Sequence, residues 1–296
     1  MHKSIGFCSS IIWIYGCIIW IYGCTAASTT TSSPISPQPE VPVPEVNPAV
    51  TPVSGSWDFA YTAGTLTYQI SRNATITNAS DSTGSHETSS NLTRETFHVQ
   101  PEDSIIHVVA SVDSFVTTSQ GLVGPAQTAQ VPVQVSALVA GGSLTIDDTS
   151  TTAACNPVQS VLKADLNNLL ITLPAHVTSG MTWRDSVSVN GCQGGLPGMA
   201  AVIRNFRIAG QIDLDGNPVL LVERQDSLTA HGQGAQQQHQ VSFDARGTGR
   251  ARYLLDFRAG RILRVTTDQS LAIAIMSSGK VSDFTQVSRQ DFRLLP

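Results

Sequence analysis

Between Ser56 and Leu295 the chain alternates apolar and polar residues in short runs broken by glycine, asparagine and serine. A period of two sends successive side chains to opposite faces of a strand, so one face can be buried while the other meets water. Trp57, Phe59 and Tyr61 occupy alternate positions, and so do Leu66, Tyr68 and Ile70. Further on, Ala251, Tyr253, Leu255 and Phe257 share one face, with Arg250, Arg252 and Asp256 on the other. Turns are expected at Arg258–Arg261 and Ser277–Lys280, separating long runs in the manner of hairpins. The pattern predicts a mainly β fold, an antiparallel meander forming a curved sheet or half-barrel over residues 55–296.

One segment follows a different period. Asn156 precedes Pro157, an N-cap residue before a proline suited to the first helical turn. Val158, Val161, Leu162, Leu166, Leu169 and Leu170 then recur at helical spacing. A single mid-chain helix over about 157–170 is expected, its apolar stripe packed on the sheet.

The first 54 residues have another character. Lys3 precedes an apolar run containing a tandem heptapeptide, Ile11–Cys17 and Ile18–Cys24, after which the chain turns polar. A cation, an apolar core and a small-residue exit are the layout of a secretory signal peptide. Residues 25–54 hold seven prolines among Ser, Thr and Val with no apolar periodicity. Such a segment stays extended at about 3.1 Å per residue, which suits a spacer between an anchor and a domain; a ligand for a proline-reading partner is the other use of such a stretch.

Ile21-Tyr22-Gly23-Cys24 resembles the lipobox of bacterial lipoproteins, with Tyr22 where a small residue is usual. The resemblance implies cleavage before Cys24 and a diacylglycerol on its sulfur. A second copy ends at Cys17, and an ordinary cleaved signal peptide or an uncleaved anchor are the alternatives; all three export the domain. Domains are therefore expected at 1–23 (signal peptide), 24–54 (lipid anchor and linker) and 55–296. Of the five cysteines, Cys8 and Cys17 leave with the signal and Cys24 takes lipid, so Cys155 and Cys192 remain as a pair. An even pair in an exported domain reads as a disulfide, contributing roughly 3–4 kcal/mol in the chain-entropy model; two buried free thiols are the other reading.

The long strands around a mid-chain helix resemble the half-barrel of lipoprotein carriers and their mycobacterial lipid-binding relatives. Leu173-Pro174 followed by Val177, Gly180 and Trp183 is similar to a segment of bacterial lipoproteins with β-rich domains. The resemblance implies a concave face, lined by residues such as Tyr68, Trp183, Phe206, Tyr253 and Phe257, that shelters an apolar ligand or a partner lipoprotein. Thr25 follows the anchor where many inner-membrane lipoproteins carry aspartate, which by analogy favours an outer membrane where the organism has one.

Motifs for chemistry are weak. No G-x-S-x-G occurs, and Gly141-Gly142-Ser143 reads as a turn. Gly191-Cys192-Gln193-Gly194-Gly195 could offer backbone N–H groups to an anion but reads better as a loop. His231 with His239, and His98 with His107, flank turns without metal-ligand spacing. Asp213-Leu214-Asp215-Gly216-Asn217 has its glycine at the wrong place for a calcium loop and suits an Asp-Gly hairpin. Gly279-Lys280 lacks the upstream glycine of a phosphate loop. Asn73, Asn78 and Asn91 each begin an N-glycosylation sequon, a pattern that Ser/Thr/Asn-rich strands produce by chance. Removing residues 1–23 leaves 16 Lys and Arg against 22 Asp and Glu, a net charge of −6. That balance argues against nucleic acid or anionic lipid as the main partner. The expectation is a membrane-anchored, non-enzymatic binding or carrier module needing no cofactor or metal. A structural or protein-interaction module of the cell envelope, without a ligand pocket, is the alternative.

Overall fold

The computed structural model describes residues 55–80, 86–119, 122–123, 134–140, 142–147, 157–193, 196–236 and 239–296. The signal segment, the linker, Cys24 and Cys155 lie outside the described residues. The strands are β1 (Ser56–Asp58), β2 (Gly64–Asn78), β3 (His86–Glu102), β4 (Ile105–Ser119), β5 (Leu122–Val123), β6 (Gln134–Ala140) and β7 (Ser143–Asp147). Among the described residues a single helix, α1 (Pro157–Leu169), precedes β8 (His176–Thr178), β9 (Thr182–Gln193), β10 (Leu196–Leu214), β11 (Asn217–Gln236), β12 (His239–Asp256), β13 (Arg261–Ser277) and β14 (Lys280–Leu294).

Eleven strands form one continuous antiparallel sheet in the order β7-β6-β4-β3-β2-β14-β13-β12-β11-β10-β9, with β5 added to β4 and β1 paired with β8 apart from it. The chain thus starts in the middle of the sheet, winds to one end, inserts α1, and returns from the other end. β7 and β9, the two ends, come close to one another, so the sheet curls into a nearly closed barrel. The mainly β meander with one helix is the fold that the alternation called for.

Local chemistry sets the turns. Asp215 and Gly216 both adopt positive φ between β10 and β11, and Ser278 and Gly279 do so between β13 and β14. Two consecutive positive φ values give the twist that joins strands through two residues. Asp213 Oδ1 accepts a hydrogen bond from Gly216 N at 2.7 Å, so the acidic residues there hold a hairpin.

The inward face is layered along the barrel axis. One end is apolar, with Tyr68, Ile70, Phe97, Phe206, Val222, Tyr253, Leu255, Val265 and Phe292 packed against Leu162, Leu166 and Leu169 of α1. The other end is a second apolar cluster of Leu196, Val202, Leu228, Val241, Phe243, Leu271 and Ile273. A belt of buried polar residues separates them: Arg72, Thr93, Glu95, Asp185, Arg204, Arg224, Asp226, Gln286 and Gln290.

Curvature at the second cluster depends on glycine. Gly198 of β10 faces Gly232 of β11, and Gly232 faces Phe243 of β12. A Cβ at Gly232 would lie 2.3 Å from the Phe243 ring and 2.6 Å from Pro197 O. The aromatic ring thus covers the backbone where side chains are missing, as in aromatic rescue of strand glycines. Gly232→Ala is expected to lower the unfolding free energy by about 1–3 kcal/mol through overpacking, with a smaller loss in a Phe243→Leu background. Urea denaturation of the two single variants and the double variant checks the coupling.

Candidate functional site

The sequence pattern placed only the apolar stripe of α1 against the sheet. In the structure, residues 161–167 are buried without interruption, Lys163, Asp165 and Asn167 included. The helix is enclosed by the sheet, with neighbours in β4, β6, β7, β9 and β13. Its polar face therefore needs partners from the sheet, and an enclosed helix leaves its last carbonyls without water.

Three buried arginines supply those partners. Arg204 donates from one terminal nitrogen to Asn167 O at 2.6 Å and Leu170 O at 3.1 Å. Arg224 lies 3.5 Å from both Asn167 O and Asn168 O and donates to Asn168 Oδ1 at 3.0 Å. Tyr253 donates its hydroxyl to Asn168 O at 2.8 Å and accepts from Arg224. The helix has no basic residue in its own last turn, so cations from β10 and β11 face the negative end of its dipole. At the other end, Ser160 Oγ accepts from Cys192 N at 2.6 Å and Lys163 donates to Asn190 O at 3.0 Å.

Each arginine carries its own counter-charge. Asp185 grips Arg204 in bidentate fashion at 2.7 and 2.6 Å and accepts from Thr172 Oγ1 at 2.5 Å. Asp226 grips Arg224 at 3.1 and 2.8 Å. Burial disfavours the Arg224 cation, but Asp226 and its hydrogen bond lead the opposing effects, and its pKa rises above the ordinary value. Arg72 pairs with both Glu95, at 3.2 Å, and Asp165 of the helix.

That last group has two carboxyls for one guanidinium. Burial pushes the Glu95 pKa well above the ordinary carboxylate value, the charge of Asp165 pushes it further, and Arg72 only partly offsets both. Burial raises the Asp165 pKa too, against the pull of Arg72. Glu95 Oε2 and Asp165 Oδ1 are buried without hydrogen-bond partners, and of the two carboxyls Glu95 is pushed the further towards its protonated form.

The five residues expected to line a concave face do lie on the inward side, where the fold packs them. Tyr68, Phe206 and Tyr253 are buried core residues, and Trp183 and Phe257 pack against them as half-buried neighbours. Trp183 stacks on Phe206 with centroids 4.9 Å apart, Phe257 meets Trp57 edge-on at 6.4 Å, and Tyr68 donates to Ile262 O at 2.7 Å. Burial raises the Tyr253 pKa to about 12, so its hydroxyl stays a neutral donor. Cys192 is buried beside the first turns of α1. His231 and His239 are not brought together, since His231 faces Asp244 across β11 and β12 and His239 bonds Ser278 Oγ at 2.9 Å, whereas His98 and His107 are diagonal neighbours on the exposed face of β3 and β4, engaged with Thr65 and Glu102 respectively. Sequence reasoning missed the arginine belt. Its signal was phase, since Arg204 alternates in step with Val202, Phe206 and Ile208.

The outward face is charged. Arg94, Arg184, Arg207, Arg250, Arg252 and Arg289 are all exposed on long strands. An arginine facing lipid near mid-bilayer costs about 2–4 kcal/mol, so these positions are better suited to water than to hydrocarbon. On β9, β10 and β11, Thr182, Arg184, Asn205, Arg207, Glu223 and Gln225 rim an open dish of about 400 Å³ that Trp183 and Phe206 complete.

The carboxyl pair makes stability depend on pH. Glu95 binds its proton more tightly folded than unfolded, so its contribution is complete below the unfolded value near 4.5 and is lost as pH rises through the higher folded value. Within that window the unfolding free energy is expected to fall by up to about 1.4 kcal/mol per pH unit. Glu95→Gln, which cannot ionise, flattens the profile. Urea denaturation of both proteins from pH 4 to 9 checks this, and parallel profiles would exclude a held proton.

No protein family model matches this chain, and no curated protein matches it. Among solved structures, it is similar to the Pseudomonas aeruginosa protein OccK2 (OpdF), at 7% identity over 78% of this chain and 98% of that one, with a TM-score of 0.27. An exported protein with a YMCC-like fold from Bacteroides fragilis is similar at 9% identity over 79% and 98%, with a TM-score of 0.25. A Rhodopseudomonas blastica porin variant is similar at 9% identity over 78% and 100%, with a TM-score of 0.22. Likenesses this remote carry no argument about what the chain does.

Proposed function

We propose that this chain is an exported, lipid-anchored interaction module of the cell envelope, working through the outer face of a barrel plugged by its own helix. The observation that carries the reading is the enclosed α1, whose Asn167, Asn168 and Leu170 carbonyls are bound by Arg204, Arg224 and Tyr253. The carrier reading needs the concave face for an apolar ligand. Tyr68, Phe206 and Tyr253 on that face instead pack against the chain's own residues. A charged exterior supports an aqueous position, and the lipobox-like Ile21–Cys24 with its proline-rich spacer supports a tether. Cys192 beside the start of α1 supports a bond to Cys155, which would pin the segment leading into the helix.

Native mass spectrometry of the exported chain, with solvent extraction, tests the reading. The expected polypeptide mass has no lipid beyond the N-terminal modification and is two hydrogens below that of the dithiol form. A stoichiometric extractable lipid would overturn the plugged-barrel reading in favour of a carrier.

A further inference from the structure

Whole-chain charge conceals a division along the sequence. Residues 24–181 hold three Lys and Arg against twelve Asp and Glu, whereas residues 182–294 hold thirteen against ten. The basic half is the run from β9 to β14. Four of its acids on the outward face already pair with arginines: Asp268 with Arg250 and Arg289, Glu223 with Arg252, Asp256 with Arg261, and Asp291 with Arg264 and Arg293. Arg184 and Arg207, with Arg246, Arg258 and Lys280, are exposed cations that have no ion-pair partner among the described residues, and of these only Arg184 and Arg207 lie side by side on the rim of the dish.

These two arginines stand on the rim of the 400 Å³ dish. In register, Arg184 of β9 faces Asn205 of β10 while Arg207 of β10 faces Thr182 of β9. The arginines are thus diagonal neighbours on adjacent strands, about 7–8 Å apart at the backbone, within reach of a common anion. Two guanidinium forks suit carboxylate or phosphate oxygens in bidentate geometry. The rest of the rim is different in kind. Asn205 faces Gln225, giving two carboxamides in a row with Arg184, and Glu223 faces Arg207 from β11. Carboxamides both donate and accept, and a carboxylate accepts, which suits hydroxyl groups and disfavours a second anionic group at the Glu223 side.

We propose that this dish binds an anion that carries hydroxyls beside its charge, a sugar acid or a sugar phosphate. Arg184 and Arg207 take the charged oxygens, while Asn205, Gln225 and Glu223 take the hydroxyls. The inference rests on the outer face being the working surface. It replaces the argument from net charge, because the cations are concentrated where the whole-chain balance averages them away.

Titration of the full exported chain with galacturonic acid, glucose 6-phosphate, glucose and inorganic phosphate, followed by calorimetry, tests the proposal. The two charged sugars are expected to bind at least tenfold more tightly than glucose or phosphate alone. Arg184→Ala and Arg207→Ala each weaken that binding by roughly tenfold to a hundredfold, the range for a hydrogen bond to a charged group. Arg289→Ala, on the same face outside the dish, leaves it unchanged. Binding of glucose with equal affinity, binding of phosphate with equal affinity, or no heat from any of the four would overturn it. A lipid-free interior with a silent dish defeats this site alone, whereas a lipid-filled interior defeats the surface reading by a separate measurement.

Discussion

A helix enclosed by a sheet must give its terminal carbonyls to something other than water, and the rest of this structure follows from that need. Asn167, Asn168 and Leu170 are bound by Arg204, Arg224 and Tyr253 on strands β10, β11 and β12. Arginines in that interior need counter-ions, so Asp185 and Asp226 stand beside them. Taking charges out of water costs several kcal/mol per ion, so these pairs are weak as net stabilisers. Their directional hydrogen bonds fix the position and register of the helix, where apolar contacts alone would tolerate sliding.

The polar belt also explains the two apolar clusters. Inward positions along β10 read Ala200, Val202, Arg204, Phe206 and Ile208, and those along β11 read Leu220, Val222, Arg224, Asp226 and Leu228. Charge interrupts each run at the level of the end of α1. The helix supplies Leu162, Leu166 and Leu169 to the first cluster, and Phe243, seated over Gly198 and Gly232, fills the second. On the proposed reading recognition falls to the exterior, where arginines, carboxamides and hydroxyls meet solvent.

Much of the architecture was legible in the sequence. Period-two alternation gave the meander, the pairs Asp215-Gly216 and Ser278-Gly279 marked tight hairpins, and Pro157 marked the first residue of the helix. The inward phase of Tyr68, Trp183, Phe206 and Tyr253 was also readable, while Phe257 falls in the turn after β12. Their use was not, because whether an inward aromatic meets a ligand or a helix depends on closure of the sheet. Closure brings β7 near β9 across a long stretch of sequence, and no local signal reports it. The buried arginines entered the sequence reading only through the net charge; Arg72 falls in phase with Tyr68 and Ile70, which is the evidence that a composition count discards. The dish was hidden for a related reason, since Arg184, Asn205 and Gln225 become neighbours only through the register of three strands.

Native-state hydrogen exchange tests the central claim most directly. If the arginine belt locks α1 inside the barrel, the amides of residues 162–169 open only in global unfolding and share the protection free energy of the centres of β10 and β12. Exchange of those helix amides through a cheaper opening, while β10 and β12 stay protected, would contradict the account and show the helix to be a loosely held plug.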